Sequence, residues 1–233
     1  MSSCDTCLVR NSAICSVLGS NELTALNRIG RTRTIGAGQA LMWEGDDSLL
    51  VANVIDGVLK LSTGMGDGRE QIVGIVYPAD FIGRPFGARS QHNVVALTDA
   101  RVCTFTRGDF DAFARDHPEL EHKLLQRTLT ELDRARHWML LLGRKSATEK
   151  MATFLLEMSE RLVVKGCGPE GGPLDNFTLP FGRQQIADIL GLTCKIIVKQ
   201  GSLFFRQERT GDVDTQSLDS GRKRFIRPSC TKR

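Results

Sequence analysis

Short runs of apolar and β-branched residues, broken at regular intervals by glycine, fill the segment from about Arg33 to Phe105. Residues 58–61 and 71–77 are the clearest strands, and the glycine-rich loop at 64–68 between them predicts a hairpin. Many short strands with evenly spaced turns are typical of an antiparallel barrel or jelly roll. We therefore predict an α+β chain with an N-terminal antiparallel β-barrel of the jelly-roll type.

A long helical pattern begins at Pro118, a residue that suits a first turn because its missing N–H would have no partner there. The apolar positions that follow at helical spacing include Leu124, Leu125, Leu129, Leu132 and Met139. This stripe either packs on the barrel of its own chain or pairs with the same helix of a second subunit. We favour the second interpretation, which makes these residues a dimerisation surface.

Residues 178–193 have the pattern of a helix-turn-helix. Ile186, Ala187 and Leu190 fall on one helical face, and the glycine at position 191 supplies the positive φ that ends a helix. A second helix is predicted to start near residue 193 and to be able to enter a DNA major groove. The residues predicted to meet DNA are Arg183, Gln184, Thr193, Lys195 and Lys199.

The charge distribution adds to this interpretation. Residues 178–233 carry 11 Lys and Arg against 5 Asp and Glu, a net charge of +6, whereas residues 1–177 carry a net charge of −2. A basic segment suits a polyanion such as DNA, although it can equally be a solvated surface. The 233 residues contain no apolar stretch long enough to span a membrane. We expect a cytoplasmic protein with no membrane partner.

Four of the seven cysteines form the candidate metal site: Cys4, Cys7 and Cys15 near the N-terminus, and Cys103 in a predicted strand. In a reducing compartment, cysteines at C-x2-C spacing are more typical of metal binding or redox chemistry than of structural disulfides. Four thiolates suit an iron–sulfur cluster, and they also suit a tetrahedral zinc ion. Spacing alone leaves cluster, zinc and no metal open. No catalytic constellation is evident, so an enzyme is not expected.

Three motifs in the same order carry a family resemblance: Asp56-Gly-Val-Leu-Lys, Pro78-Ala-Asp-Phe-Ile-Gly, and Leu179-Pro-Phe-Gly-Arg-Gln-Gln-Ile-Ala-Asp-Ile-Leu-Gly-Leu-Thr. Together with the cysteines, they make residues 4–193 resemble the CRP/FNR family of bacterial transcription regulators, and the FNR type in particular. The resemblance implies a homodimer in which a β-barrel sensor connects through a long helix to a winged helix-turn-helix on a palindromic DNA site. Double-stranded DNA and RNA polymerase are the implied partners.

The resemblance also implies an oxygen-labile [4Fe-4S] cluster held by Cys4, Cys7, Cys15 and Cys103, which favours the cluster over zinc. The N-terminal spacing here is C-x2-C-x7-C, whereas the best-known family member has C-x2-C-x5-C. Binding of cyclic AMP is not expected, because the glutamate and the Arg-Ser pair of nucleotide-binding members have no match.

We predict four segments. Residues 1–19 form a cysteine-rich cluster-binding segment, residues 20–117 the β-barrel sensor domain, residues 118–143 the dimerisation helix, and residues 144–233 the helix-turn-helix domain with a divergent basic tail.

The recognition helix departs from the family pattern. Lys195, Val198 and Lys199 stand where FNR-type members carry Glu, Ser and Arg, so the family's preferred DNA sequence cannot be transferred. Gly201 is predicted to interrupt this helix, and the winged domain is atypical or truncated after about residue 193. A reading-frame change after this position is one hypothesis for the divergent tail.

Two other functions remain open at this point. The first is a family member that senses a small molecule or thiol oxidation without a cluster. The second is a barrel protein with a decayed DNA-binding end that acts through protein partners.

Overall fold

The computed structural model describes residues 4–161, 176–204 and 224–226. The chain divides into two compact units, Met1–His137 and Trp138–Arg233. The predicted basic tail lies almost wholly outside the described residues. None of the described helices is long and apolar enough to cross a membrane.

Eight antiparallel strands form two four-stranded sheets in the first unit. The first sheet has the order β1-β8-β3-β6, with strands β1 (Arg31–Ile35), β8 (Ala100–Thr106), β3 (Leu50–Asp56) and β6 (Phe81–Ile82). The second has the order β2-β7-β4-β5, with strands β2 (Ala40–Met42), β7 (Asn93–Ala96), β4 (Leu59–Gly64) and β5 (Glu70–Val76). The predicted hairpin is confirmed, because β4 and β5 pair from Leu59↔Val76 to Gly64↔Glu70.

The predicted antiparallel β-domain is present, but its two sheets do not close into a barrel. No ladder joins the edge strands of the two sheets within the described part of the chain, so they form a β-sandwich. Two of these edge strands, β6 and β2, have only two and three residues, too short to continue the hydrogen-bonded ladder into the opposite sheet. The core between the sheets contains buried residues of both: Ile35, Ala52, Val54, Ile82, Ala100 and Val102 from the first, and Leu59, Val76, Val94 and Ala96 from the second.

The outer face of the first sheet is covered as well. Side chains alternate between the two faces of a strand, so Val51 and Phe105 point away from the sandwich core. They pack with helices α1 (Ser20–Ile29) and α2 (Arg107–Arg115) and with an N-terminal segment that contains two short 3-10 turns, Cys4–Thr6 and Ile14–Val17. This second core brings the N-terminus onto the sheet.

Helix α3 runs from Pro118 to Arg144, a single helix of 27 residues that begins in the first unit and continues into the second. Its first residue is the proline identified in the sequence. Its early turns pack on the first unit, where Leu120 is fully buried in the second core.

The second unit contains helices α4 (Ala147–Arg161), α5 (Arg183–Leu190) and α6 (Cys194–Phe204) and the short antiparallel pair β9 (Asn176–Thr178) and β10 (Arg224–Ile226). Ser146 and Glu149 cap α4 reciprocally, since the Ser146 N–H donates to the Glu149 carboxylate at 2.8 Å. Gly191 ends α5 with a left-handed φ of 59°. Helix α6 continues through Gly201, where the sequence predicted an interruption.

The Asp56-Gly57 turn gives a direct test of the sandwich. Gly57 has a φ of 89°, and a Cβ there would lie 2.5 Å from the Asp99 carbonyl oxygen. Gly38 has nearly the same φ, 84°, but a Cβ there would meet nothing within 4 Å. We expect Gly57→Ala to lower the free energy of unfolding by about 3 kcal/mol or more and Gly38→Ala by only about 1 kcal/mol.

Urea unfolding followed by circular dichroism measures the difference between these two glycines. Equal losses of stability in the two variants would contradict the close approach of Gly57 to the strand that begins at Ala100.

Candidate metal centre

Cys4, Cys7, Cys15 and Cys103 line one small apolar cavity on the outer face of the first sheet. Three of these thiols come from the N-terminal segment and the fourth from β8. None of the four forms a disulfide. The structure therefore brings together the four cysteines that the sequence analysis selected, although they are separated by up to 99 positions in the chain.

The N-terminal segment is held by local backbone hydrogen bonds and by apolar anchors. The Cys7 N–H donates to the Cys4 carbonyl at 3.3 Å, and the Leu18 N–H donates to the Cys15 carbonyl at 3.2 Å. Val9, Ala13 and Ile14 are buried. The cysteines thus occupy turns between buried side chains, which presents their thiols to the sheet.

Cys103 is positioned by strand pairing. It lies opposite Thr32 of β1 and Asn53 of β3, in the middle of the first sheet. Because its neighbours Val102 and Thr104 face the sandwich side, the Cys103 side chain points outward, towards the N-terminal segment.

Burial controls the protonation of two of the thiols. Burial, together with a smaller contribution from the neighbouring thiols, raises the pKa of Cys103 from 9.0 to about 12 and that of Cys15 from 9.0 to about 11. Arg10, which also lines the cavity, acts in the opposite direction on Cys15. Both groups are therefore thiols at neutral pH, and a metal that binds them must displace their protons.

The donor set suits a metal group in number and chemistry, but the cavity is small. Its volume is about 30 Å³, close to that of one water molecule. A four-iron cluster is larger than this cavity.

No three Cys, His, Asp or Glu side chains in the described residues are arranged as ligands of one metal ion. A structural zinc ion needs all four ligands at bonding distance from a single centre. In a four-iron cluster, each thiolate binds a different iron, so the four sulfur atoms stand further apart.

Sequence reasoning missed two other residues of this cavity, Arg10 and Asn53. The signal for Asn53 was present in the sequence, since it is the polar residue inside the apolar run Leu49-Leu-Val-Ala-Asn-Val-Ile. Nothing comparable marks Arg10.

The five residues predicted for dimerisation do not share one environment. Leu124 is partly buried against the second core of its own unit. The other four are exposed on α3, with exposed fractions between 44% and 73%: Leu125, Leu129, Leu132 and Met139.

The five residues predicted to meet DNA are all exposed in the second unit: Arg183, Gln184, Thr193, Lys195 and Lys199. Arg183 and Gln184 lie in the first turn of α5. Thr193 directly precedes α6, and its carbonyl accepts hydrogen bonds from the N–H groups of Ile196 and Ile197 at 3.0 and 3.1 Å.

Burial of the α5 and α6 faces orients these polar residues outward. Ile186, Ala187 and Leu190 of α5 and Ile197 of α6 are all buried. The Lys150 ammonium of α4 also donates to the Leu190 carbonyl at 3.3 Å.

A second, larger cavity of about 560 Å³ lies between the sandwich and the early turns of α3. Its charged lining residues are Asp80, Glu121, Arg127 and Glu131. The excess of carboxylates disfavours an anionic ligand such as a cyclic phosphate.

Known proteins resemble the chain over most of its length. Residues 32–117 match the cyclic nucleotide-binding domain family. The transcriptional activator protein FnrL of Cereibacter sphaeroides is 40% identical over 203 residues, which cover 87% of this chain and 82% of FnrL. The nitrogen fixation regulation protein FixK of Bradyrhizobium diazoefficiens is 37% identical over 211 residues, which cover 90% of this chain and 85% of FixK.

The solved structure of FixK2 from Bradyrhizobium japonicum superimposes with a TM-score of 0.70 at 27% identity, covering 86% of this chain and 93% of FixK2. With these relatives, the chain belongs to the CRP/FNR family of transcription regulators. Its relatives are regulators rather than enzymes, which confirms the expectation that it is not an enzyme. Membership of this family implies binding to DNA.

Proposed function

We propose that this regulator responds to oxygen through a [4Fe-4S] cluster held by Cys4, Cys7, Cys15 and Cys103. The observation that carries the proposal is the convergence of these four thiols on one apolar cavity. When bound, the cluster supplies the reactivity towards oxygen that makes the protein a sensor. The apolar side chains of Val9, Ala13 and Phe105 line the same cavity, and the four thiols beside them are partly buried.

The structure offers a physical connection from the cysteine segment to α3. The Arg127 guanidinium on α3 donates to the carbonyl of Ser12, which lies between Cys7 and Cys15. The same guanidinium lies 4.0 Å from the Asp80 carboxylate in the turn before β6. An outward movement of the segment would therefore act on α3 through Arg127.

The exposed apolar face of α3 supports a homodimer. Leu125, Leu129, Leu132 and Met139 follow one another at intervals of four, three and seven residues, the spacing of a coiled-coil seam. An apolar face of this regularity is costly in water unless a second helix covers it. We assign this face to the dimer interface.

The second unit is the proposed helix-turn-helix. Helices α5 and α6 are joined through Gly191, and the polar residues predicted for DNA are exposed on them. Lysines at positions 195 and 199 suit contacts to phosphates and give affinity with little reading of base sequence. In this proposal, RNA polymerase is the protein partner at the promoter.

A family member that senses a small molecule is the second candidate, and the cavity of about 560 Å³ is the observation that favours it. It predicts regulated DNA binding in a protein that contains no iron. Iron content therefore separates the two functions.

For the cluster, we expect anaerobically purified protein to show a broad visible absorbance band with about four irons per chain, which air bleaches. Cys103→Ser should remove the band and most of the iron, because the ligand in β8 is lost. Cys194→Ser is the matched control, since Cys194 lies in α6, outside the cavity, and should behave as the wild type. A colourless, iron-free wild type, even after anaerobic reconstitution, would overturn the cluster proposal.

For the dimer, we expect Leu129→Glu to raise the dimer dissociation constant at least about tenfold, because a charge replaces an apolar side chain in the seam. Met65→Glu is the control: Met65 is 48% exposed and Leu129 is 52% exposed, but Met65 lies in the β4–β5 loop. Sedimentation velocity of the anaerobic protein measures both variants. An unchanged dissociation constant for Leu129→Glu would place the interface elsewhere.

For DNA, we expect the double variant Lys195→Ala/Lys199→Ala to bind a mixed-sequence duplex with a weaker salt dependence. The slope of log K against log salt should fall by about 0.9 for each phosphate that the variant no longer neutralises. Arg33→Ala/Arg69→Ala removes the same charge from exposed positions of the first unit and should leave the slope unchanged. Fluorescence anisotropy across a salt series measures this slope. Equal changes in the two double variants would mean that the lysines act only through net charge.

A further inference from the structure

Asn53 is a buried polar residue that the sandwich itself does not use. Its exposed fraction is 3%, and its Oδ1 atom has no hydrogen-bond partner among the described residues. Its neighbours in β3 are apolar, with Ala52 and Val54 fully buried. An unpaired amide oxygen in such surroundings destabilises a fold. The residue therefore needs an explanation beyond packing.

The position of Asn53 in the sheet explains why a polar side chain is buried there. It lies directly opposite Cys103 in the β3–β8 ladder and lines the cavity shared by the four cysteines. Directly opposed residues of an antiparallel pair present their side chains on the same face, within contact of each other. The unpaired amide thus belongs to the candidate cluster site.

A primary amide carries both an acceptor oxygen and two donor hydrogens, and rotation about the Cβ–Cγ bond by half a turn exchanges them. The protonated thiols of the metal-free protein are weak donors. Thiolates and sulfides are acceptors that a buried amide N–H can satisfy. The side chain therefore suits a site in which thiolates or sulfides accept hydrogen bonds from its N–H groups.

We propose that Asn53 is a positioning residue whose amide N–H donates a hydrogen bond to sulfur at the cluster site, to the Cys103 thiolate or to a cluster sulfide. This inference rests on the proposed function of the four cysteines. Hydrogen bonds to sulfur are one of the means by which proteins set the reduction potential of iron–sulfur groups, because they stabilise the negative charge of the reduced form. Asn53 therefore slows the oxidation of the cluster by air and sets the oxygen threshold of the regulator.

The main variant is Asn53→Leu, which has a similar branched shape but no polar atoms. We expect the metal-free variant to unfold at the same urea concentration as the wild type or at a higher one, because an unpaired polar atom is removed. The cluster of the loaded variant should bleach in air at least about threefold faster, and its iron–sulfur stretching frequencies in resonance Raman spectra should shift. These opposite effects distinguish a site residue from a structural one.

Ser48→Ala is the matched control. Ser48 is 2% exposed and its hydroxyl is also unpaired among the described residues, but it does not line the cysteine cavity. We expect it to stabilise the metal-free protein and to leave the bleaching rate unchanged.

The pair Asn53→Val and Asn53→Thr covers the case in which leucine does not fit, since the two residues differ by one hydroxyl donor in nearly the same volume. In air, the cluster of the Asn53→Thr variant should bleach more slowly than that of the Asn53→Val variant. Bleaching at the wild-type rate in all three position-53 variants would overturn the inference, as would lower stability of the metal-free variants with unchanged bleaching. A wild type that takes up no cluster would overturn the proposed function instead, and this inference with it.

Discussion

The packing of the N-terminal segment on the outer face of the β1-β8-β3-β6 sheet is the interaction on which the proposed function depends. Val9 and Ile14 are buried against a sheet face that carries Val51, Ile55 and Phe105. Full burial of one such side chain contributes about 1.5–3 kcal/mol, so a few anchors hold a segment with little regular structure. Without these anchors, three thiols would lie far from Cys103 and no site would form.

The packed N-terminal segment and the proposed cluster place different requirements on the size of this cavity. The segment closes over a cavity of about 30 Å³, and burial there raises the pKa of the Cys103 and Cys15 thiols. A cluster requires a wider cavity and four thiolates. Arg127 connects the Ser12 carbonyl of the segment to α3, the helix that bears the exposed apolar face. The proposed link between oxygen and dimerisation is a movement of a few packed residues rather than a rearrangement of the sandwich.

The sequence predicted local elements well and their assembly less well. The β4–β5 hairpin and the start of α3 at Pro118 follow from glycine and proline positions, which act locally. The antiparallel strands were predicted but not their arrangement in two open sheets, because the pattern of short strands does not determine whether edge strands meet. The burial of Leu124 depends on which turn of α3 rests on the first unit, and helical spacing does not contain that information.

Some residues of the candidate site could be identified from the sequence, and others could be identified only from the structure. The cysteines could be selected because thiol spacing and a family resemblance single them out. Arg127 could not be assigned, since a charged residue on a polar helix face has no distinctive pattern. Asn53 is marked as the polar residue of an apolar run, but the run does not show that this residue lies opposite Cys103. Their roles follow only from the contacts that the fold creates, with Ser12 in the first case and with the cysteine cavity in the second.

Native mass spectrometry of the anaerobic protein, repeated after exposure to air, tests the central claim most directly, because it reports cluster content and oligomeric state together. The account predicts dimers that carry one cluster of about four irons per chain, converting in air to monomers without metal. Dimers that persist after the cluster is lost, or an anaerobic protein that carries no cluster, would contradict it.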